Sequence, residues 1–161
     1  MRKLSKMLAT GMLALALAVP QVAAASGVAA FKIGQGVYSI NGVPKQDVAP
    51  YIKKGRTFLP LRFTAYAVGI GDNSIRWDDS TKTAYLGKGN DVIAVKVGAP
   101  VLRVYTFEGD RLVKERTVTL DVPAEIKDGR VMLPLRAVAE AFGCQVHWDA
   151  GKQVVTVVSG D

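Results

Sequence analysis

Apolar and polar positions alternate along residues 31–157 with two different periods, and the switches between them mark out the elements. Phe31-Lys-Ile-Gly34 has the period of two expected of a strand and is echoed by Val95-Lys-Val-Gly98. Val37-Tyr-Ser-Ile40 predicts a further strand, closed by Asn41-Gly42, a pair suited to the positive φ angles of a two-residue hairpin turn. Residues 101–107 and 112–120 predict longer strands joined across Glu108-Gly109-Asp110. Two segments carry the helical period instead. Leu61, Thr64, Ala65 and Val68 fall at i, i+3, i+4 and i+7, and so do Leu135, Val138, Ala139 and Phe142. Each follows a short strand ending in Pro60 or Pro134, where proline suits the first turn of a helix. Each closes at Gly69 or Gly143, where helices stop in the left-handed conformation. After each helix the period returns to two, predicting hairpins from residues 74–78 into 83–86 and from 145–149 into 153–157.

The recurrence of these elements is a recurrence of residues. Residues 47–69 and 121–143 align without a gap at an offset of 74, with 13 identities in 23 positions. Average residue usage gives about one or two by chance. The Lys-x-Gly echo is offset by only 64, so the later copy carries ten extra residues in its long hairpin. Gly87-Lys-Gly-Asn90 reads as the connector between copies. Alternation puts Ile75 with Trp77, and Val146 with Trp148, on one face of their strands. With those faces laid over the helices, each Trp contributes on the order of 4–6 kcal/mol of burial as an upper bound. A two-turn helix does not persist alone in water. The expectation is therefore an α+β fold of two pseudo-repeated units, residues 26–89 and 90–161, packed as one domain. Each unit is a short helix wrapped by antiparallel strands.

Residues 1–25 carry a different signature. Arg2, Lys3 and Lys6 precede an apolar run over residues 7–19, and small residues follow up to Ala25, the pattern of an export signal cut after Ala25. The run of 13 residues is short of the roughly 20 that a spanning helix needs, so no membrane span is expected after cleavage. All 14 acidic residues lie beyond residue 25, against 18 Lys and Arg there, which leaves +4 rather than +7. Those basic residues are scattered singly, which does not point to nucleic acid. The charge does favour weak contact with anionic polymers. Cys144, the single cysteine, rules out an internal disulfide and reads as a small buried apolar residue.

The Gly-Arg-x-x-x-Pro-Leu-Arg block occurs as Gly55, Arg56, Pro60, Leu61 and Arg62, and again as Gly129, Arg130, Pro134, Leu135 and Arg136. An Ala-x-Ala-x-Gly helix end and the Trp-Asp hairpins at Trp77-Asp78 and Trp148-Asp149 complete the pattern. Together they resemble the copper amine oxidase-like N-terminal domain, also called the stalk domain, across essentially all of the chain beyond residue 25. The resemblance implies antiparallel strands twisted around a helix, and a non-catalytic module of secreted bacterial proteins. It implies no oxidase chemistry, because the quinone-forming Asn-Tyr motif and the three copper-binding histidines have no counterpart here.

The remaining chemistry of the chain points the same way. His147 is the single histidine, alternates away from Val146 and Trp148, and reads as a solvent-facing strand residue. Asp72, Asp78 and Asp79 lack the ligand spacing of a calcium loop and read as turn chemistry. No nucleophile elbow or phosphate loop is present. Hence no catalytic residue, metal site or cofactor is expected. Arg62 and Arg136 are the candidate polar pair, since each starts a helix whose dipole disfavours a cation. They are expected either to pack over Trp or pair with a nearby carboxylate such as Asp47, Asp121, Asp78 or Asp149, or else to read carboxylates or phosphates of a surface polymer. The expected function is a secreted, non-catalytic interaction module of the cell envelope, docking on a wall polymer or another surface protein. An inhibitor of a secreted enzyme, using the hairpin of residues 101–120, is the alternative; a small secreted hydrolase ranks below both.

Overall fold

The computed structural model of the chain describes residues 25–160. The expected export segment lies outside the described residues except for Ala25. Among the described residues, fourteen strands form three antiparallel sheets. They are β1 (Ala25–Lys32), β2 (Val37–Ile40), β3 (Val43–Gln46), β4 (Tyr51–Lys53), β5 (Arg56–Pro60), β6 (Ile75–Asp78) and β7 (Thr83–Lys88). The series continues with β8 (Asp91–Lys96), β9 (Val101–Glu108), β10 (Arg111–Thr119), β11 (Glu125–Lys127), β12 (Arg130–Pro134), β13 (Gln145–Asp149) and β14 (Val154–Gly160). The α-helices of the described residues, α1 (Leu61–Ala67) and α2 (Leu135–Ala141), have seven residues each and follow β5 and β12.

This β-rich architecture overturns the expected α+β fold of two self-wrapped units. The first sheet runs β13-β14-β1-β2-β3, the second β10-β9-β8-β7-β6, and the third β11-β12-β5-β4. Each sheet draws strands from both halves of the chain. Strand β14 pairs with β1, and the 87–90 segment is a tight hairpin in which β7 runs to Lys88 and β8 starts at Asp91. The physical reason is that each helix is too short to cover its neighbours' apolar faces. Sheet pairing across the halves buries that surface and leaves fewer strand edges unpaired.

In the third sheet, Leu59 faces Leu133 across the β5–β12 seam, flanked by Phe58 opposite Pro134 and Pro60 opposite Met132. Alternation sends Leu59 and Leu133 into the main core with Phe31, Tyr38, Phe63, Leu86, Ile93, Leu102, Leu135 and Val138. Phe58 and Met132 point the opposite way and form a second small cluster with Val122 and the partly buried Tyr51. Both faces of this short sheet are thus covered, so β5 and β12 each end in three consecutive buried residues.

The helices rest on strands from both halves: α1 on β1, β12 and β14, and α2 on β5, β12 and β13. Pro60 and Pro134 stand at the helix caps as the last strand residues, one step before the first turn where the sequence placed them. Gly69 and Gly143 close the helices with φ of 85° and 78°. Asn41-Gly42, Lys54-Gly55 and Asp128-Gly129 all have positive φ at both positions, the geometry that matches the twist of a hairpin.

The tryptophans depart from expectation. Trp77 is half-buried and Trp148 is 39% exposed, so neither closes over a helix with the anticipated gain. The buried faces of β14 and β1, with Val155, Val157, Ala29 and Phe31, take that place in the core. Lys88 ties three elements together at the edge of this core: its ammonium donates to the Val68 carbonyl at 2.9 Å, just past α1, and to that of Gly160 at 3.3 Å.

Candidate functional site

Helix α2 buries Leu135, Val138 and Ala139, and this rotation turns Arg136 outward in its first turn. On one side of Arg136 lies the edge strand β13, whose Val146 and Trp148 share a face. On the other lies β4, an edge strand of the third sheet, which presents the 44%-exposed Ile52. The turn at Lys54-Gly55 then brings Arg56 into line with Arg136. The result is a cleft of about 280 Å³ lined by Ile52, Gly55, Arg56, Thr57, Arg136, Val146 and Trp148, with the buried Leu135 and Val155. Its lining contains two guanidinium groups and no carboxylate. Arg56, Thr57 and Arg136 also wall a second cleft of about 230 Å³ that holds Asp121 and Glu140. The arginines therefore separate an acidic cleft from one without acids.

Their hydrogen bonds differ in a way that matters. Arg56 donates from both Nε, at 3.0 Å, and Nη2 to Asp121 Oδ2, so its Nε and Nη2 edge is taken. Arg136 donates from Nη1 alone, to Glu140 Oε1 at 3.2 Å and to the Val146 carbonyl at 3.4 Å. Trp148 Nε1 has no hydrogen-bond partner among the described residues. Trp77 differs, because its Nε1 donates to Asp79 at 3.3 Å, while Ala150 occupies the matching place after Trp148-Asp149.

Arg62 lies elsewhere. It donates to Asp72 Oδ1 at 3.0 Å, and the Tyr66 hydroxyl donates to the same oxygen. This exposed cluster, in which Tyr66 and then Asp72 raise the Arg62 guanidinium above its ordinary value, shares no partner with Arg136. Each arginine thus pairs with a nearby carboxylate, Arg62 with Asp72 and Arg136 with Glu140, and neither with Asp47, Asp121, Asp78 or Asp149. Asp47 accepts from Arg130 Nε at 3.1 Å and Asp121 from Arg56, so each Gly-Arg arginine reaches an aspartate of the other half. Asp78 accepts from the hydroxyl and N–H of Ser80 within its own turn, and Ser80 foremost holds its carboxyl below the usual range. Asp149 accepts from the Lys152 N–H at 3.0 Å.

His147 is exposed, and Cys144 is buried with its thiol pushed up by that burial. Among the described residues, no three His, Cys, Asp or Glu side chains gather as a metal site, and no helix is long and apolar enough to cross a membrane. Sequence reasoning singled out Arg136 and Trp148 but missed that they share a cleft with Ile52 and Arg56. The offset of 74 relates Arg56 to Arg130 and Asp47 to Asp121, yet only the β5–β12 seam makes their cross-pairing visible.

A family model described as the copper amine oxidase N-terminal domain matches residues 33–157. No curated protein and no solved structure matches the chain.

Proposed function

The chain belongs to the copper amine oxidase N-terminal domain family, a non-catalytic module, and we propose that it acts as an exported interaction module docking on the cell envelope. The pattern of residues 1–25 supports export. The observation that carries docking is the Trp148 cleft, where an exposed indole and two guanidinium groups line a surface without carboxylates. Aromatic and Arg side chains dominate the energetics of contact surfaces. A lining of one charge sign favours an anionic partner.

The test is sedimentation of the chain lacking residues 1–25 with isolated bacterial envelopes. Retention that falls in Trp148→Ala, with the fold intact by circular dichroism, supports docking through the cleft. Retention unchanged by Trp148→Ala and Arg136→Ala defeats it. A second reading, inhibition of an exported enzyme, draws on the β9–β10 hairpin. Its edge strand β10 exposes Leu112 and Val113 at 47% and 39%. Shortening the tip around Gly109 abolishes inhibition on that reading, and inhibition left intact by the shortened tip rejects it.

A further inference from the structure

We infer that the Trp148 cleft recognises an acidic sugar unit of a carboxylated polysaccharide, the indole taking the face of the ring and Arg136 the carboxylate. This rests on the docking reading and names its ligand. Both Arg136 contacts run through Nη1, so the Nε and Nη2 donors, which form one planar edge of the guanidinium, have no partner among the described residues. That edge matches the two oxygens of a planar carboxylate. Trp148 offers an apolar face together with an indole N–H that has no protein acceptor, the combination required by a ring that is apolar on its faces and hydroxylated at its rim. Ile52 and Val146 extend the apolar lining, and no acid lines this cleft; Glu140 holds the Nη1 side of the Arg136 guanidinium from the neighbouring one, which leaves the Nε and Nη2 edge for the ligand.

Two features favour a sugar over an acidic protein segment. The cleft, at about 280 Å³, is sized for a single ring and its substituents. A peptide adding to the β13 edge meets the Arg136 side chain, which already donates to the Val146 carbonyl at 3.4 Å.

The experiment uses the chain lacking residues 1–25, in a Trp77→Phe background so that Trp148 is the single indole. Its fluorescence is titrated with oligogalacturonate, a neutral chitin oligosaccharide, a phosphorylated mannose oligosaccharide and oligoglutamate. Saturable binding of oligogalacturonate is expected, with the neutral sugar weaker by about tenfold or more. Arg136→Ala lowers that affinity about 10- to 100-fold, the loss of a charge-assisted pair of hydrogen bonds. Arg136→Lys recovers only part of it, because a point charge lacks the fork. Trp148→Ala, followed by calorimetry with its melting midpoint as the folding control, loses the binding as well. Tighter binding of the phosphorylated sugar or of oligoglutamate overturns the carboxylated-sugar assignment, as does a neutral sugar that binds equally well. If no sugar binds while envelope retention still depends on Trp148, the ligand class falls and docking stands. If retention is also indifferent to Trp148, both fall.

Discussion

Truncating Leu133 to Ala tests the claim that one shared sheet holds the two halves together. Leu133 is fully buried opposite Leu59 at the seam between β12 and β5. Deleting three buried carbons forfeits about 2.4 kcal/mol of transfer free energy at about 0.8 kcal/mol per methylene. Collapse around the void is limited, because the core lies on one face and the Phe58–Met132–Val122 cluster on the other. The residual cavity adds on the order of 1 kcal/mol, for a total of roughly 3–4 kcal/mol. For a chain of this size that lowers the melting midpoint by about 10–15 °C. Calorimetry and urea unfolding followed by circular dichroism measure both quantities on the chain lacking residues 1–25. Because every sheet contains strands from both halves, the destabilised protein still unfolds in one transition. Leu112→Ala, 47% exposed on β10, is the control and stays within about 0.5 kcal/mol. A loss under about 1 kcal/mol at Leu133, or two separated transitions, refutes the shared-sheet account.

Burial, with Asp47 adding to it, raises the Tyr38 hydroxyl above its ordinary value near 10, while it donates to the Val48 carbonyl. Its contribution is therefore complete below pH 10 and is lost as pH rises beyond it, since the unfolded chain ionises first. Tyr38→Phe flattens the alkaline fall in stability; a variant as steeply alkali-sensitive as the parent in urea titrations from pH 8 to 11 defeats this. The Arg56–Asp121 pair is exposed at both ends, so a double-mutant cycle gives a coupling of only about 0.2–1 kcal/mol, shrinking in 0.5 M salt. A coupling above about 2 kcal/mol contradicts that placement on the surface. Gly143→Ala meets no atom within 4 Å but must hold φ near +78°, so it costs about 1–2 kcal/mol from backbone strain alone. A neutral effect in thermal melts shows that α2 does not end in that conformation.

Local structure was readable from the sequence because its causes are local. Asn41-Gly42, Gly55 and Gly129 announce turns by what their backbones tolerate, and the apolar spacing from Leu61 and from Leu135 fixes where each helix starts. Partner choice was not readable. Alternation states that β14 has one buried face, but nothing within residues 154–160 states that its neighbours are β13 and β1. The same gap explains the tryptophans: Trp148 sits on the face that alternation assigns it, on an edge strand from which Val146 packs against the core and Trp148 stays exposed. Arg136 was identified by its position at a helix start. Ile52 and Arg56 were not identified as its neighbours, because β4, β5 and β13 meet only through the tertiary packing of two sheets.

The pairing of β1 with β14 has a mechanical consequence. Ala25 lies opposite Gly160, and the rungs run from there to Lys32 opposite Val154. Tension applied at residues 25 and 160 pulls both strands from the same end, so it opens the ladder one hydrogen-bonded pair at a time instead of loading all of them together. Pulled between residues 25 and 160, this ladder yields by peeling, and the first rungs to part lie beside the carbonyl of Gly160 that Lys88 holds.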